Sequence, residues 1–309
     1  MIYTLTLNPA LDKEYQVSKI ELDKIMRTNQ VSIDFGGKGF NVSRMLSALG
    51  VASIVLGFVG GHTGDVLLQG LRSLGINTEP TIIAGETRTN ISIVGESEGH
   101  YVKINERGPV VSQGEVNALL GKINSLVRQG DLWVLAGSLP GNVPDDIYAK
   151  IIRRVNQAGA YAVLDASGIP LILGVKEKPF LIKPNIHELS ALVCGEITEI
   201  GELGDVALAL HAEGLLNMLV SLGEQGAFLS ASGRQWQARS PKIQVMNPIG
   251  AGDAMIAGFI WRLSMGDPMD AALPWATACG TAAASIRGTG MPSLKQIQAC
   301  YEKITIKPL

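Results

Sequence analysis

Short apolar runs alternate with amphipathic segments along most of the chain. Six of these runs have the length and composition of buried strands, at residues 2–7, 53–58, 132–136, 162–165, 180–182 and 218–221. Between several of them, apolar residues recur at helical spacing and form one face, as in residues 41–49 and 147–155. This alternation predicts a parallel sheet that is covered by helices on both sides.

Two segments depart from the alternation. Residues 15–33 and 89–104 have strand-like, partly alternating patterns with no helix between their own halves. Residues 97–99, Ser-Glu-Gly, are typical of a hairpin turn between strands at 91–94 and 101–104. We therefore predict a small second sheet that stands apart from the main one.

The composition adds a few limits to this picture. The 309 residues include 46% hydrophobic and 17% charged residues, which is typical of a globular protein, and the net charge of -2 provides no basic face for nucleic acid or an anionic membrane. The N-terminus lacks the features of a signal peptide, and no apolar stretch is long enough to span a bilayer. The three cysteines are far apart and contain no CxxC pair. We expect a cytoplasmic protein with no nucleic-acid and no membrane partner.

The strongest chemical signal is Gly250-Ala251-Gly252-Asp253, which directly precedes an apolar helical pattern. Glycines at a helix N-terminus expose backbone N–H groups that can bind an anion. An aspartate at this position can accept a proton from a hydroxyl that attacks phosphorus. From spacing alone, a first-turn helix residue or cap explains Asp253 equally well.

Two common nucleotide motifs are absent. A Walker loop needs a glycine five residues before a Gly-Lys pair, but Ser32 and Val116 occupy that place before the two candidate pairs. The dinucleotide fingerprint would need glycine at Met255. These absences argue against a Walker-type ATPase and a nicotinamide dehydrogenase.

Four other segments have the composition of ligand-binding loops, and each is also compatible with a purely structural role. Residues 36–41, Gly-Gly-Lys-Gly-Phe-Asn, start a helix and suit either a sugar site or a strand-to-helix turn. Residues 183–188 place Asn185 and Glu188 where they could hold a magnesium ion on ATP phosphates or form a capping box. Residues 221–227 suit a plain hairpin better than a nucleotide contact, and Ser138 follows a buried strand, where α/β sites gather.

Taken in order, these segments resemble the ribokinase-like sugar kinases, in the phosphofructokinase B branch. The resemblance runs over essentially the whole chain and includes residues 6–12, which look like that branch's first strand and substrate aspartate. It implies a single doubly wound α/β kinase domain over residues 1–309, with a mostly parallel sheet flanked by helices. It also implies a small β-sheet lid formed by about residues 10–34 and 86–106, and a homodimer that forms through this lid.

The resemblance also implies roles for individual residues. Asp253 would be the catalytic base, beside the backbone N–H groups of Gly250, Ala251 and Gly252. The sugar phosphate would be bound by Asp12, Arg27, Gly37, Lys38, Asn41, Arg88 and Ser138, with the two arginines, expected in the lid strands, on its phosphate. ATP would be bound by Lys183, Asn185, Ser221, Gly223 and Gly226, and Mg²⁺ by Asn185 and Glu188.

Three possible acceptors remain open within the branch. Residues 278–282 favour fructose 1-phosphate, whereas residues 241–243 and 247–248 favour tagatose 6-phosphate. Fructose 6-phosphate is disfavoured, because the minor 6-phosphofructokinases typically carry lysine where this chain has Ile25 and glycine where it has Lys38. We place fructose 1-phosphate first. A sugar-phosphate-binding protein without kinase activity is the alternative from another functional class.

Overall fold

The computed structural model describes residues 1–96, 100–286, 288 and 290–309. Its main sheet has 11 strands. They are β1 (Ile2–Thr6), β4 (Ile54–Val59), β5 (Asn77–Thr78), β6 (Thr81–Ile82), β9 (Leu132–Ala136), β10 (Tyr161–Asp165), β11 (Leu181–Ile182), β12 (Asn217–Ser221), β13 (Ala227–Ala231), β14 (Arg234–Arg239) and β15 (Thr305–Pro308). The parallel strands lie side by side in the order β12, β11, β10, β9, β1, β4, β5. Beyond β12, the sheet continues with β13, β14 and β15, each antiparallel to its neighbour.

Ten helices connect or flank these strands in the described part of the chain. They are α1 (Lys38–Ala48), α2 (Gly61–Ser73), α3 (Gln113–Leu126), α4 (Ile147–Gln157), α5 (Gly168–Val175), α6 (Ile186–Leu192), α7 (Ile200–Ala212), α8 (Ala251–Ser264), α9 (Met269–Ala284) and α10 (Leu294–Tyr301). A short 3-10 helix, Gly223–Gln225, joins β12 to β13. None of the described helices has the length and apolar composition needed to cross a bilayer.

Successive residues of the central strands point to opposite faces of the sheet, and this divides the core in two. Ile2 and Val134 pack with α1, α8 and α9, whereas Tyr3 and Leu135 pack with α3, α4 and α7. Both faces are therefore apolar, which explains why these strands appear in the sequence as continuous hydrophobic runs.

A second sheet has four strands, β2 (Ala10–Val17), β3 (Gln30–Gly36), β7 (Arg88–Gly95) and β8 (Tyr101–Asn105), in the order β3-β2-β7-β8. Its register places apolar residues on one face, including Val31, Ile33, Ile91, Ile93, Val102 and Ile104. The other face carries Asp12, Asp34 and Asn90. Helix α2 packs against one end of the apolar face at Phe35, but Val31, Ile33, Val102 and Ile104 are exposed.

The predicted architecture is confirmed: a mostly parallel, doubly wound sheet flanked by helices, with a small second sheet. All six predicted central strands and both predicted helices are present within one to three residues of their expected bounds. The predicted turn at residues 97–99 lies outside the described residues. One placement was wrong, because Arg27 lies in the loop 18–29 between β2 and β3 rather than in a strand. The chain turns within this loop, where Asp23 has φ 60°.

Candidate active site

Asp253 lies at the N-terminus of α8, where the polypeptide leaves an irregular segment. Gly250 precedes the helix in the left-handed region, with φ 81°, which explains the glycine at this position. Gly252 also has a close neighbour, since an added Cβ would lie 3.3 Å from Lys183 Nζ. Asp253 is buried, and its Oδ2 accepts a hydrogen bond of 2.8 Å from Asn41 Nδ2 of α1.

Burial and charge together set the protonation of this carboxyl. Burial raises the pKa of Asp253 to about 7, with a further contribution from the negative charge of Asp165. The hydrogen bond from Asn41 and the positive charges of Lys38 and Lys183 oppose that rise in pKa. Asp253 is therefore poised to exchange a proton near neutral pH, as a general base requires.

Asp165 is the main residue that the sequence analysis missed. It is the last residue of β10, its side chain is 1% exposed, and its Oδ1 lies 3.1 Å from Lys38 Nζ and 3.5 Å from Lys183 Nζ. Although burial opposes the charge of Lys38, the carboxylates of Asp165, Asp253 and Glu188 raise its pKa. An acidic residue at the carboxyl end of a buried parallel strand was the signal in the sequence that could have identified it.

Asp12, on the polar face of the four-stranded sheet, approaches the start of α1. Its Oδ1 accepts a hydrogen bond of 2.7 Å from Asn90 Nδ2, and burial raises its pKa. A Cβ at Gly36 would overlap Asp12 Oδ2, so any larger residue there would displace the Asp12 carboxylate. Gly37 has φ 130°, a conformation that favours glycine, and it caps α1.

Arg88 and Ser138 meet through Asn8, a residue that the sequence analysis did not single out. Arg88 Nη2 donates to the carbonyl oxygen of Asn8 at 3.0 Å, and Arg88 Nη1 donates to that of Glu106 at 2.9 Å. The Nδ2 of Asn8 lies 3.4 Å from Ser138 Oγ. Arg27 is exposed in its loop, and the structure records no side-chain hydrogen bond or ion pair between it and the described residues. The structure thus does not bring Arg27 together with Arg88.

A cavity of about 1040 Å³ lies beside the α8 N-terminus. Five of the predicted ATP-binding and catalytic residues line it, namely Asn185, Ser221, Gly223, Ala251 and Gly252. Its walls are otherwise mostly apolar and come from the connection between β12 and β13, the segment before α8, and helices α8 and α9, including Leu222, Ile243, Val245, Pro248, Met255 and Ala284. This size and lining suit a small organic ligand.

Two predicted ATP-binding residues do not line this cavity. Lys183 is buried beside Asp165. Gly226 has φ 98°, and a Cβ there would lie 2.0 Å from the carbonyl oxygen of Ala238, so its glycine permits the close approach of β14. The hairpin interpretation of residues 221–227 is correct, because β12 and β13 pair antiparallel.

The segments that distinguish the possible acceptors in the sequence lie away from the four-stranded sheet. Pro241, Lys242 and Ile243 line the cavity, as do Gly280 and Thr281. They therefore lie beside α8 and α9 rather than on the sheet that carries Asp12 and Arg88. Their side chains give no direct information about which sugar phosphate is the acceptor.

Asn185 and Glu188 form the capping box that the spacing allowed. Asn185 Oδ1 accepts from the Glu188 backbone N–H at 2.8 Å, and Glu188 Oε2 accepts from that of Asn185 at 2.9 Å. Among the residues that the structure describes, no group of three or more His, Cys, Asp or Glu side chains could hold a metal ion. Both of these oxygens accept a backbone hydrogen bond in this arrangement.

The chain is similar to carbohydrate kinases in both sequence and fold. The model of the pfkB family of carbohydrate kinases matches residues 5–296. The chain is 37% identical to a 1-phosphofructokinase of Bacillus subtilis over 305 residues, which are 99% of each chain. The crystal structure of Escherichia coli phosphofructokinase-2 in complex with fructose-6-phosphate has a TM-score of 0.90 at 27% identity, covering 97% of this chain and 98% of that one.

A Thermotoga maritima protein described as a possible 1-phosphofructokinase has a TM-score of 0.88 at 30% identity and covers 100% of this chain and 99% of its own. The family match spans nearly the whole chain, and these relatives are similar in both sequence and structure. The chain belongs to the pfkB family of carbohydrate kinases, which transfer a phosphoryl group from ATP to an alcohol group.

Proposed function

We propose that this kinase phosphorylates fructose 1-phosphate to fructose 1,6-bisphosphate, with Asp253 as the general base. The observation that carries the proposal is the position of Asp253, which is buried at the α8 N-terminus and has a pKa of about 7. The full-length similarity to the Bacillus subtilis 1-phosphofructokinase supports the choice of acceptor.

ATP occupies the large cavity in this proposal. Its apolar walls suit a nucleotide base, and Ala251 and Gly252 bring the α8 N-terminus to the cavity edge. The backbone N–H groups of this first helical turn, with the helix dipole, stabilise negative charge on the transferring phosphoryl group. Asp253 then accepts the proton of the attacking hydroxyl.

The acceptor lies against the polar face of the four-stranded sheet. Asp12, Gly37, Lys38 and Asn41 bind its hydroxyls, and Asn41 already contacts Asp253 at 2.8 Å. Arg88, Ser138 and, from its exposed loop, Arg27 bind the existing phosphate. The guanidinium of Arg88 carries more donors than the two carbonyl oxygens that it contacts, so it can bind a phosphate without leaving them.

Lys183 and Asn185 complete the phosphate side of the site. The Lys183 ammonium lies close to Gly252 and Asp165, where it can balance the charge of the phosphates. Asn185 and Glu188 hold Mg²⁺, which neutralises phosphate charge when it is bound. Glu188 is half-buried in its capping box, so it can serve both the helix and the ion.

The apolar face of the four-stranded sheet suggests a homodimer. An isolated sheet of this size needs a partner for its apolar face. Exposed Val31, Ile33, Val102 and Ile104 form such a face, and a second copy of the chain would cover it with the same residues. The four-stranded sheet would then act as a lid over the sugar. The three free cysteines suit a cytoplasmic enzyme.

The acceptor is tested by comparing kcat/KM for fructose 1-phosphate, tagatose 6-phosphate, fructose 6-phosphate, free fructose and ribose, each with Mg-ATP. We expect fructose 1-phosphate to give the highest value. Tagatose 6-phosphate should come second, because it also carries a phosphate at one end and a free primary hydroxyl at the other. A higher value for ribose or free fructose would contradict the phosphate-binding role of Arg88. Absence of phosphorylation with every acceptor would favour a binding protein without kinase activity.

A further inference from the structure

A continuous chain of polar contacts joins the four-stranded sheet to Asp253. It begins at Asp34 of β3, whose Oδ1 accepts from Arg44 Nη2 at 2.9 Å. Arg44 Nη1 also donates to Asn41 Oδ1 at 3.3 Å, one turn earlier on α1. Asn41 Nδ2 then donates to Asp253 Oδ2 at 2.8 Å. The side chain of Arg44 is 7% exposed, so these contacts are largely shielded from water.

The chemistry of the guanidinium fixes the direction of this chain. Arginine has donors and no acceptor, whereas an asparagine amide has one of each and can rotate. With Arg44 beside it, the amide of Asn41 must turn its oxygen toward the guanidinium and its NH₂ toward Asp253. The reverse orientation would place two donors against each other at Arg44 and two acceptors against each other at Asp253.

We propose that Arg44 is a positioning residue, which holds the amide of Asn41 in the orientation that donates to Asp253, and that its ion pair with Asp34 links this orientation to the sugar-binding sheet. The inference rests on the proposed function, because it concerns the same base. Asn41 occupies Oδ2 of the carboxylate, so Oδ1 remains available for the proton of the acceptor hydroxyl.

The same contacts affect the acceptor side. Asp34 pairs directly with Asp12 across β2 and β3, so the two carboxylates lie on the same face. The charge of Asp34 contributes to the raised pKa of Asp12, and Arg44 balances that charge. Arg44 thus balances the charge of the carboxylate that lies opposite Asp12 and also holds the amide that contacts the base.

Loss of Arg44 has a predictable effect on the titration of Asp253. The charged groups that face Asp253 are Asp165 at the end of β10, Lys38 at the start of α1 and Lys183 after β11, and none of them changes in an Arg44 variant. The hydrogen bond from Asn41 lowers the pKa of Asp253. An amide that can rotate would donate less often, so the pKa of the base should rise, and Asp253 would stay protonated to higher pH.

The test compares Arg44→Met and Arg44→Lys with the wild type in the pH profile of kcat/KM, which reports the free enzyme. We expect Arg44→Met to move the acid limb upward by about one pH unit and to lower kcat about tenfold, as loss of one charge-assisted hydrogen bond implies. Arg44→Lys should recover part of both. The control is Arg153→Met, which removes an exposed ion pair with Glu177 and should leave the profile unchanged.

A second arm separates positioning from a merely structural effect. If Arg44 acts through Asn41, then Arg44→Met should have little further effect in an Asn41→Ala background. Equal effects in both backgrounds, or an unshifted acid limb in folded Arg44→Met, would overturn the inference. If thermal unfolding shows that Arg44→Met does not fold, Asp34→Asn should give a smaller shift in the same direction, and no shift there would overturn it too. A wild type that phosphorylates no acceptor would instead refute the proposed function.

Discussion

The two sheets of this protein differ in what covers them. The main sheet is buried under helices on both faces. Asp165 and Lys183 lie buried at the ends of its strands, next to the start of α8. The four-stranded sheet has one polar face, which carries Asp12 and Asn90, and one apolar face that packs against α2 at Phe35 but leaves Val31, Ile33, Val102 and Ile104 exposed. In the proposed function, the phosphoryl-transfer groups are therefore held by the packed main sheet, whereas the acceptor groups lie on a sheet that a ligand or a second copy would complete.

This contrast predicts that the largest losses of activity come from substitutions beside the buried main sheet, at the start of α8. Asp253→Asn keeps the shape of the side chain and removes the proton acceptor. We expect kcat to fall by about 10²–10⁴ at saturating ATP and sugar phosphate. A kcat within a few-fold of the wild type would show that another group accepts the proton.

The acceptor side should show a smaller and more selective loss. Arg88→Ala removes a guanidinium from the proposed phosphate site, so kcat/KM for the sugar phosphate should fall roughly 10- to 100-fold. The KM for ATP should remain nearly unchanged, because Arg88 does not line the cavity. Arg153→Ala, at an exposed ion pair, is the control. Equal losses for both substrates would indicate general distortion.

Removing the charge of Asp165 should shift the pH profile of kcat/KM in the direction opposite to the shift expected for Arg44→Met. Because its carboxylate raises the pKa of Asp253, Asp165→Asn should lower that pKa. Asp253 would then become deprotonated at lower pH, and the acid limb of kcat/KM should move down by about one pH unit. An upward shift would mean that the loss of order in Lys38 and Lys183 outweighs the loss of charge.

Glu188 has two proposed roles that a matched pair of variants can separate. Glu188→Gln should raise the Mg²⁺ concentration for half-maximal rate several-fold and should also weaken the α6 cap. Glu115→Gln makes the same change in the capping box of α3 and should lower stability only slightly without changing the Mg²⁺ titration, because glutamine also forms this box, as Gln296 does in α10. If both variants change only thermal stability, Glu188 is a cap and nothing more.

The smallest effect on the chemistry itself should come from the apolar face of the four-stranded sheet. Ile104→Lys places a charge on this face, at the edge strand β8, and should convert a dimer into a monomer near 32.8 kDa by light scattering. Leu208→Lys, at an exposed apolar residue of α7, should not change the assembly. A fully active monomeric wild type would refute the dimer proposal.

The same contrast determines how much could be inferred from the sequence. Strands buried on both faces are visible as continuous apolar runs, so β1, β9 and β12 were predicted nearly to the residue. The Gly250–Asp253 segment was visible because its glycines, its aspartate and the apolar helix that follows are adjacent in the sequence. Asp165 was missed because its position at the end of a strand does not by itself show its partners. Lys38 and Lys183, which contact its carboxylate, come from distant parts of the chain.

Other features depended on tertiary contacts that no local pattern contains. Gly226 was predicted as an ATP-binding glycine from the family resemblance of its loop. The structure gives a further reason for glycine there, because a side chain at this position would clash with the carbonyl oxygen of Ala238 on β14. No local pattern singles out Arg44, because only the fold brings Asp34 and Asn41 to its two terminal nitrogens. The cavity lining from residues 241–245 was likewise invisible, because it is formed by irregular backbone.

The most direct test of the central claim is the product formed from fructose 1-phosphate and Mg-ATP. Phosphorus NMR should show equal amounts of ADP and fructose 1,6-bisphosphate appearing together, with the new phosphate on the primary hydroxyl opposite the original one. ADP release without a bisphosphate, or consumption of neither substrate, would contradict the assignment of this chain as a fructose 1-phosphate kinase.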